Sequence, residues 1–130
     1  RIVETGLPVG LAGTAAWIRQ VAQAVGAGDA GESLIASGLD RAAPRLEWVV
    51  PHALLHRRLF LGGDAAWVVA WAGAFSELGC AVAGVLPTGG TLPEGCALRV
   101  LGDVPGPDAV DLCIGDRACV EAAMAVGRRR

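Results

Sequence analysis

The sequence predicts an α/β fold: a Rossmann-like three-layer sandwich with a mostly parallel sheet. Short apolar runs alternate with segments of helical periodicity, which is the pattern of parallel strands joined by right-handed crossover helices. Two of these runs end in the same way, with a glycine and an aspartate directly before a helical segment, at Gly63-Asp64 and at Gly115-Asp116. This repeated ending is typical of a buried parallel strand that stops at a helix N-terminus.

The composition fits one folded domain. The chain has 130 residues, of which 53% are apolar and 18% charged, and this balance excludes disorder over most of its length. We expect a single Rossmann-like domain over residues 1–130, with a turn and helices in 1–57 and the β-α-β core in 58–130. So much apolar surface also predicts that the domain belongs to a larger subunit.

The first part of the chain is predicted to be helical after a short glycine-rich turn. Thr14 is expected to cap the first helix with its hydroxyl, and Gly26 to end it in a left-handed conformation. Pro44 is expected to end the second helix, and Pro51 to kink the third. The expected elements are a strand end at 2–9, a helix at 15–25, a loop at 27–31, and helices at 32–41 and 45–56.

The second part is predicted to alternate strands and helices. Asp64 is the expected N-cap of a helix over 65–78, which Gly79 ends. The expected strands are 58–61, 81–86, 98–101 and 109–114, and a last helix is expected over 118–126.

The helix at 65–78 has no polar face. Trp67, Trp71 and Phe75 form one stripe along it, and small or apolar residues fill most of the rest. A helix that is apolar all round is buried on every side. Two explanations stay open: either another domain or subunit covers its outer face, or it is the central helix of a self-sufficient core.

Six turn residues are candidates for binding a cofactor, because open α/β sheets bind ligands at the carboxyl ends of their strands. Neither glycine turn matches a dinucleotide fingerprint, and the chain has no lysine for a P-loop. Helix capping and tight turning are the competing explanation for the same residues. The candidates are Gly10, Gly13, Thr14, Gly62, Gly63 and Asp64.

No catalytic or metal-binding set can be named from the sequence. No nucleophile elbow and no carboxylate pair stands out. The four cysteines, at positions 80, 96, 113 and 119, show no two-residue spacing, so we expect buried free thiols and no metal site. His52 and His56 share the i, i+4 spacing of some metal sites, but structural roles are favoured because no third ligand is nearby.

Charge and hydropathy exclude two classes of partner. The net charge of −2 offers no basic surplus for a nucleic acid. A membrane span is not expected, since Glu77 interrupts the apolar stretch and Gly and Pro follow it. The start of the chain shows no secretory leader and the cysteines no disulfide framework, so we expect a cytoplasmic protein.

Four segments carry motifs in a recognisable order. They are residues 7–14 (LPVGLAGT, opening a helix), 51–64 (PHALLHRRLFLGGD, helix then strand then Gly-Asp), 75–80 (FSELGC, a helix end) and 108–115 (DAVDLCIG, a strand). In order and spacing they resemble the nitrogenase component 1 superfamily. That family includes the molybdenum–iron protein subunits, their cofactor-assembly scaffolds, and the dark protochlorophyllide and chlorophyllide reductases. The resemblance runs from about Gly6 to Gly127.

The resemblance implies a Rossmann-like domain of a nitrogenase-like oxidoreductase subunit. Its partners would be other domains or subunits of the complex and an ATP-dependent iron–sulfur reductase that supplies electrons. The family's cluster-binding cysteines lie mainly in a different, N-terminal domain, so no cofactor is expected in this chain and an iron–sulfur cluster only in the full assembly. The alternative is a non-catalytic assembly or docking module related to the cofactor scaffolds.

Overall fold

The computed structural model describes residues 2–106 and 108–128, so positions 1, 107, 129 and 130 of the expected domain lie outside it. Helices and a parallel sheet confirm the predicted α/β class. The elements in chain order are α1 (Gly10–Ala24), α2 (Gly28–Val49), a π-helical turn (Val50–Leu54), β1 (Arg58–Asp64), α3 (Ala65–Glu77), β2 (Ala81–Gly89), β3 (Leu112–Gly115) and α4 (Arg117–Arg128).

Strand β1 lies at the centre of the sheet. The order is β2-β1-β3 and both pairings are parallel, so Leu59 pairs with Val82 on one edge and with Leu112 on the other. The strand predicted at 98–101 is wrong in extent, because only Val100 bridges β2, through Val85. The chain bends at 102–103, directly after this bridge, and leaves the sheet. If the bridge at Val100 is counted as the third strand in chain order and β3 as the fourth, the spatial order is 3-2-1-4, which matches the first four strands of the Rossmann order.

The two faces of β1 enter two different clusters. Leu61 packs with residues of α3 and β2 on one face, and Phe60 packs with Val104 and Cys119 on the other. Successive side chains of a strand point to opposite faces, and both residues have no exposed surface. Helices α3 and α4 therefore cover opposite faces of the sheet, which gives the predicted three layers.

Helices α1 and α2 form a further layer outside α3. Gly10, at a φ of +74°, lets α1 approach α3 so closely that a Cβ there would lie 2.7 Å from the Cβ of Ala74. A Cβ on Gly31 of α2 would likewise lie 2.6 Å from the Cβ of Ala22 in α1. Helix α3 thus lies between the sheet and α1, which accounts for much of its apolar circumference, although Trp67 and Trp71 stay half-buried.

The start of α1 differs from the prediction. Residues 2–9 carry no strand, and the helix begins at Gly10, so the N-cap predicted for Thr14 is wrong. The Thr14 hydroxyl lies inside the helix and donates to the Pro8 carbonyl at 3.2 Å. The first turn is capped by a residue that is distant in the sequence. The Glu77 carboxylate accepts the N–H of Leu11 at 2.8 Å and that of Ala12 at 3.3 Å.

Helix α2 also differs, because it replaces the predicted loop at 27–31 and continues through Pro44 to Val49. Pro44 removes one helical N–H, but the residue lies on an exposed face where water can solvate the freed carbonyl. The break comes at the π-helical turn that contains Pro51, where the N–H of Leu55 donates to the Val50 carbonyl at 2.8 Å.

The predicted signals around α3 are confirmed. The Asp64 carboxylate accepts the N–H of Ala66 at 2.9 Å and caps the helix. Gly79 follows the helix at a φ of +77° and Gly26 follows α1 at +72°, as expected of left-handed helix ends. Strand β3 begins at Leu112, later than predicted, and α4 runs one residue earlier and two later than predicted.

We expect Glu77→Ala to lower the free energy of unfolding by about 1 kcal/mol, because it removes the acceptor that caps α1. Glu77→Gln should cost less, since its amide oxygen still accepts. Urea denaturation of both variants tests this. Glu47→Ala is the control, because Glu47 is a helical residue with no hydrogen bond or ion pair to the described residues. Equal stability of E77A and E47A would contradict the capping role.

Candidate functional site

The first candidate site is a crevice at the carboxyl ends of β1 and β3. The chain reaches β2 through α3 on one side of β1, whereas β3 lies on the other side, so this is the topological switch point of the sheet. Open α/β sheets bind ligands at such points. A cavity of about 310 Å³ opens here. Its lining consists of Gly62, Gly63, Asp64, Trp67, Gly115 and Asp116.

Glycine backbone forms the floor of the crevice. A Cβ on Gly115 would lie 2.6 Å from the Gly62 carbonyl oxygen and 2.8 Å from the Cys119 sulfur. Gly63 has a φ of +147°, and a Cβ on Gly63 would lie 3.4 Å from the nearest ring atom of Trp67. Any side chain at Gly115 would collide with the neighbouring strand, so close packing explains that glycine independently of ligand binding.

Two aspartates cap the helices that begin at the crevice. Asp64 caps α3 as described above, and the Asp116 carboxylate accepts the N–H of Cys119 in the first turn of α4 at 2.9 Å. Its second oxygen accepts the hydroxyl of Thr88 at 3.0 Å. Thr88 lies at the end of β2, so this bond spans the top of the central strand. The Cys119 N–H, followed by the Thr88 hydroxyl, lowers the pKa of Asp116 from its ordinary value.

The arrangement disfavours an anionic ligand. Helix N-termini attract phosphate through their free N–H groups, but here a carboxylate already accepts from each of the two helices. None of the described residues that line the cavity has a basic side chain. A phosphate would therefore meet two negative charges and few free donors. The crevice suits neutral or cationic groups that hydrogen-bond to carboxylate oxygen.

The structure separates the six predicted site residues into two groups. Gly62, Gly63 and Asp64 lie at the crevice, beside the start of α3. Gly10 lies beside Ala74 and Glu77, at the other end of α3, and Gly13 and Thr14 follow it in α1. A helix of 13 residues is about 20 Å long. The two glycine turns therefore do not share a site.

Sequence reasoning did not name Asp116, Thr88 and Trp67 as site residues. The repeat of the Gly-Asp ending was a usable signal for Asp116, because it places both aspartates at strand ends on one edge of the sheet. Thr88 and Trp67 carry no such local signal. Their positions depend on how β2 and α3 pack against β1.

The thiols do not fit the iron–sulfur cluster of the family that the sequence resembles. Cys80 is buried and its thiol donates to the Leu54 carbonyl at 3.1 Å, Cys96 lies in a separate turn, and the sulfurs of Cys113 and Cys119 are 3.8 Å apart. Such clusters need about four cysteine ligands. Among the described residues no three Cys, His, Asp or Glu side chains group to hold a metal ion.

The two histidines have separate surroundings. The His52 ring stacks on Trp48 with centroids 5.1 Å apart, and its Nδ1 lies 2.7 Å from the Trp48 carbonyl oxygen. His56 lies in the turn before β1 at a φ of +62°, and its N–H donates to the Gly79 carbonyl at 2.8 Å. Local backbone contacts thus account for both.

A second surface feature lies on the helical layer. Two adjoining cavities of about 380 and 230 Å³ follow the junction of α1, α2 and the end of α3, and they share Leu11, Leu39 and Ala42. We call this the α1–α2 groove. Leu39 is 44% exposed. Arg41 and Arg45 lie along its outer rim, where Arg41 donates from Nε to the Ser37 carbonyl and Arg45 has no hydrogen bond or ion pair within the described ranges.

Comparisons with known proteins leave the fold and these two surfaces as the basis for assigning a function. No family model, no curated protein and no solved structure matches the chain. Over residues 2–106 and 108–128, no helix has both the length and the apolar character that crossing a membrane requires.

Acid should destabilise the wild type more than Asp116→Asn. A carboxylate whose folded pKa is lowered contributes stability above its unfolded pKa of about 3.9 and loses it as pH falls through the folded value. Urea unfolding between about pH 5 and about pH 2.5 measures the difference. Thr88→Val, which keeps the Cys119 bond, should fall between the two. If the free energy of unfolding falls equally with pH in all three proteins, the charge of the Asp116 cap does not contribute to stability.

Proposed function

We propose that the chain is a docking domain of a nitrogenase-like oxidoreductase subunit in the cytoplasm. The order of the four sequence motifs and the 3-2-1-4 order of the sheet support this assignment. In this proposal the chain contributes a binding surface to the complex. Iron–sulfur clusters, and the electrons that an ATP-dependent reductase delivers to them, belong to other parts of the assembly.

The α1–α2 groove is the observation that carries the proposal. Eight of the ten described residues that line its larger cavity are apolar, Leu39 and Leu46 among them, and the other two are Glu47 and Glu77. Leu34, 52% exposed, continues the apolar surface along α2. Contiguous exposed apolar surface on a folded protein typically marks an interaction site. The crevice at the switch point, in contrast, is lined by glycines and by the capped ends of two helices.

The occupant we propose is an amphipathic helix of a neighbouring domain or subunit in the same complex. Grooves between helices bind such helices through apolar residues spaced three and four apart. Arg45 at the rim has no charged partner within the described ranges. An acidic residue beside the apolar stripe of the incoming helix would complement it, and would fix the direction in which that helix lies.

The alternative is a free-standing assembly or docking module related to the cofactor scaffolds. It is supported by the crevice, where two carboxylates serve as helix caps and no other nucleophile or base is found among the described lining residues. The reading frame around this sequence discriminates the two. Flanking coding sequence with cluster-type cysteines supports the subunit, whereas a start codon and a stop codon directly at the two ends support the module.

Leu39→Glu should abolish complex formation with the polypeptides encoded beside this chain, because it places a charge in the apolar groove. Co-expression followed by size-exclusion chromatography measures the complex. Met124→Glu is the matched control, since Met124 is 55% exposed on α4, across the sheet from the groove. Circular dichroism verifies that both variants fold. Co-elution that L39E leaves intact, or the absence of any complex with the wild type, contradicts the proposal.

A further inference from the structure

Two thiols meet directly beneath the crevice. Cys113 lies in β3 and Cys119 in the first turn of α4, and their sulfurs are 3.8 Å apart. We propose that this pair is a redox modification site, which a low-molecular-weight disulfide such as glutathione disulfide converts reversibly into an intramolecular Cys113–Cys119 disulfide.

The geometry permits the bond with a small movement. A disulfide has sulfurs about 2.05 Å apart, so the two atoms must approach by less than 2 Å. Cys119 belongs to the first turn of a helix and Cys113 to the short edge strand β3, which pairs with the sheet on one side only within the described residues. Cys113 lies at the partly exposed edge of the sheet, whereas Cys119 is a core residue beside Phe60, so we expect β3 to supply most of the movement.

The difference in exposure between the two thiols determines which of them reacts first. Cys113 is partly exposed, whereas Cys119 is 3% exposed and packs against Phe60 and Val104. The oxidant therefore meets Cys113 first. Cys119 then acts as the resolving thiol, because it is already in contact with the sulfur that it must attack.

The exchange balances in two steps. The Cys113 thiolate attacks one sulfur of the oxidant, breaks its S–S bond and releases one thiolate, which takes up the proton that Cys113 lost. The Cys119 thiolate then attacks the Cys113 sulfur and releases the second small thiol. Two protein thiols are oxidised to one disulfide, and one small disulfide is reduced to two thiols. A reducing thiol pool reverses both steps, as is usual for cytosolic disulfides with a sensing role.

Burial sets the rate of this reaction. Desolvation raises the pKa of Cys113, and it raises that of Cys119 to about 12, with the neighbouring Cys113 adding to the effect. Both sulfurs are therefore protonated at neutral pH, and only the thiolate reacts. The rate of disulfide formation should rise roughly tenfold per pH unit below the pKa of Cys113.

The modification would act on the crevice above it. The N–H of Cys119 holds the Asp116 carboxylate, and a Cβ on Gly115 would lie 2.8 Å from the Cys119 sulfur. The disulfide would therefore form beside both the Asp116 cap and the glycine floor of the crevice.

Peptide mapping of the wild-type chain tests the proposal. The protein is equilibrated in glutathione buffers of increasing oxidised fraction and its free thiols are alkylated. Trypsin then cleaves after Arg58, Arg99, Arg117 and Arg128. Cys113 then lies in peptide 100–117 and Cys119 in peptide 118–128, while Cys80 and Cys96 share peptide 59–99. We expect peptides 100–117 and 118–128 joined by one disulfide, in an intact chain that is monomeric and lighter by two hydrogen atoms.

Three variants sharpen the result. C80S/C96S should give the same linked peptides, and C113S and C119S should give none. Complete alkylation of both thiols in the most oxidising buffer overturns the proposal, as does a stable glutathione adduct on Cys113 or a link found only in dimers. A rate of disulfide formation that does not change between neutral and alkaline pH would overturn the proposed thiolate mechanism.

Discussion

Strand β1 is buried on both faces and hydrogen-bonded on both edges, and these contacts determine where the other elements pack. Phe60 packs against α4 on one face of the strand, and Leu61 packs against α3 on the other. The two edges take β2 and β3. Asp111 holds the start of the strand, where its carboxylate accepts the N–H of Arg58 at 2.7 Å. Helices α1 and α2 join this core indirectly, through the outer side of α3.

The central position of β1 also creates the crevice and limits which ligands the crevice can bind. Because β1 ends between β2 and β3, two helices begin at one edge of the sheet, and their first N–H groups have no acceptor within the helix. Asp64 and Asp116 provide them from the chain itself. A strand end that other proteins use for phosphate is thus satisfied internally, whereas the α1–α2 groove exposes apolar side chains such as Leu34 and Leu39.

Local signals predicted the parts of the fold that local contacts determine. The apolar run of β1, the Asp64 cap and the glycine after α3 were all readable from the sequence, and three of the six proposed site residues lie at the crevice. The wrong predictions concern parts of the structure that depend on contacts between residues far apart in the sequence. The start of α1 depends on Glu77, 66 residues away, and the helix over 27–31 depends on Gly31 packing against Ala22. The bond between Thr88 and Asp116 spans 28 residues and has no local pattern.

Docking through the helical layer is the central claim, and hydrogen exchange measured on the free chain and on the assembled complex tests it most directly. The account predicts that amides in residues 34–55, along α2 and the π-helical turn, exchange more slowly in the complex, while residues 62–67 and 115–119 around the crevice change little. Added protection confined to the crevice, with residues 34–55 unchanged, would contradict the account and make the switch point the functional surface.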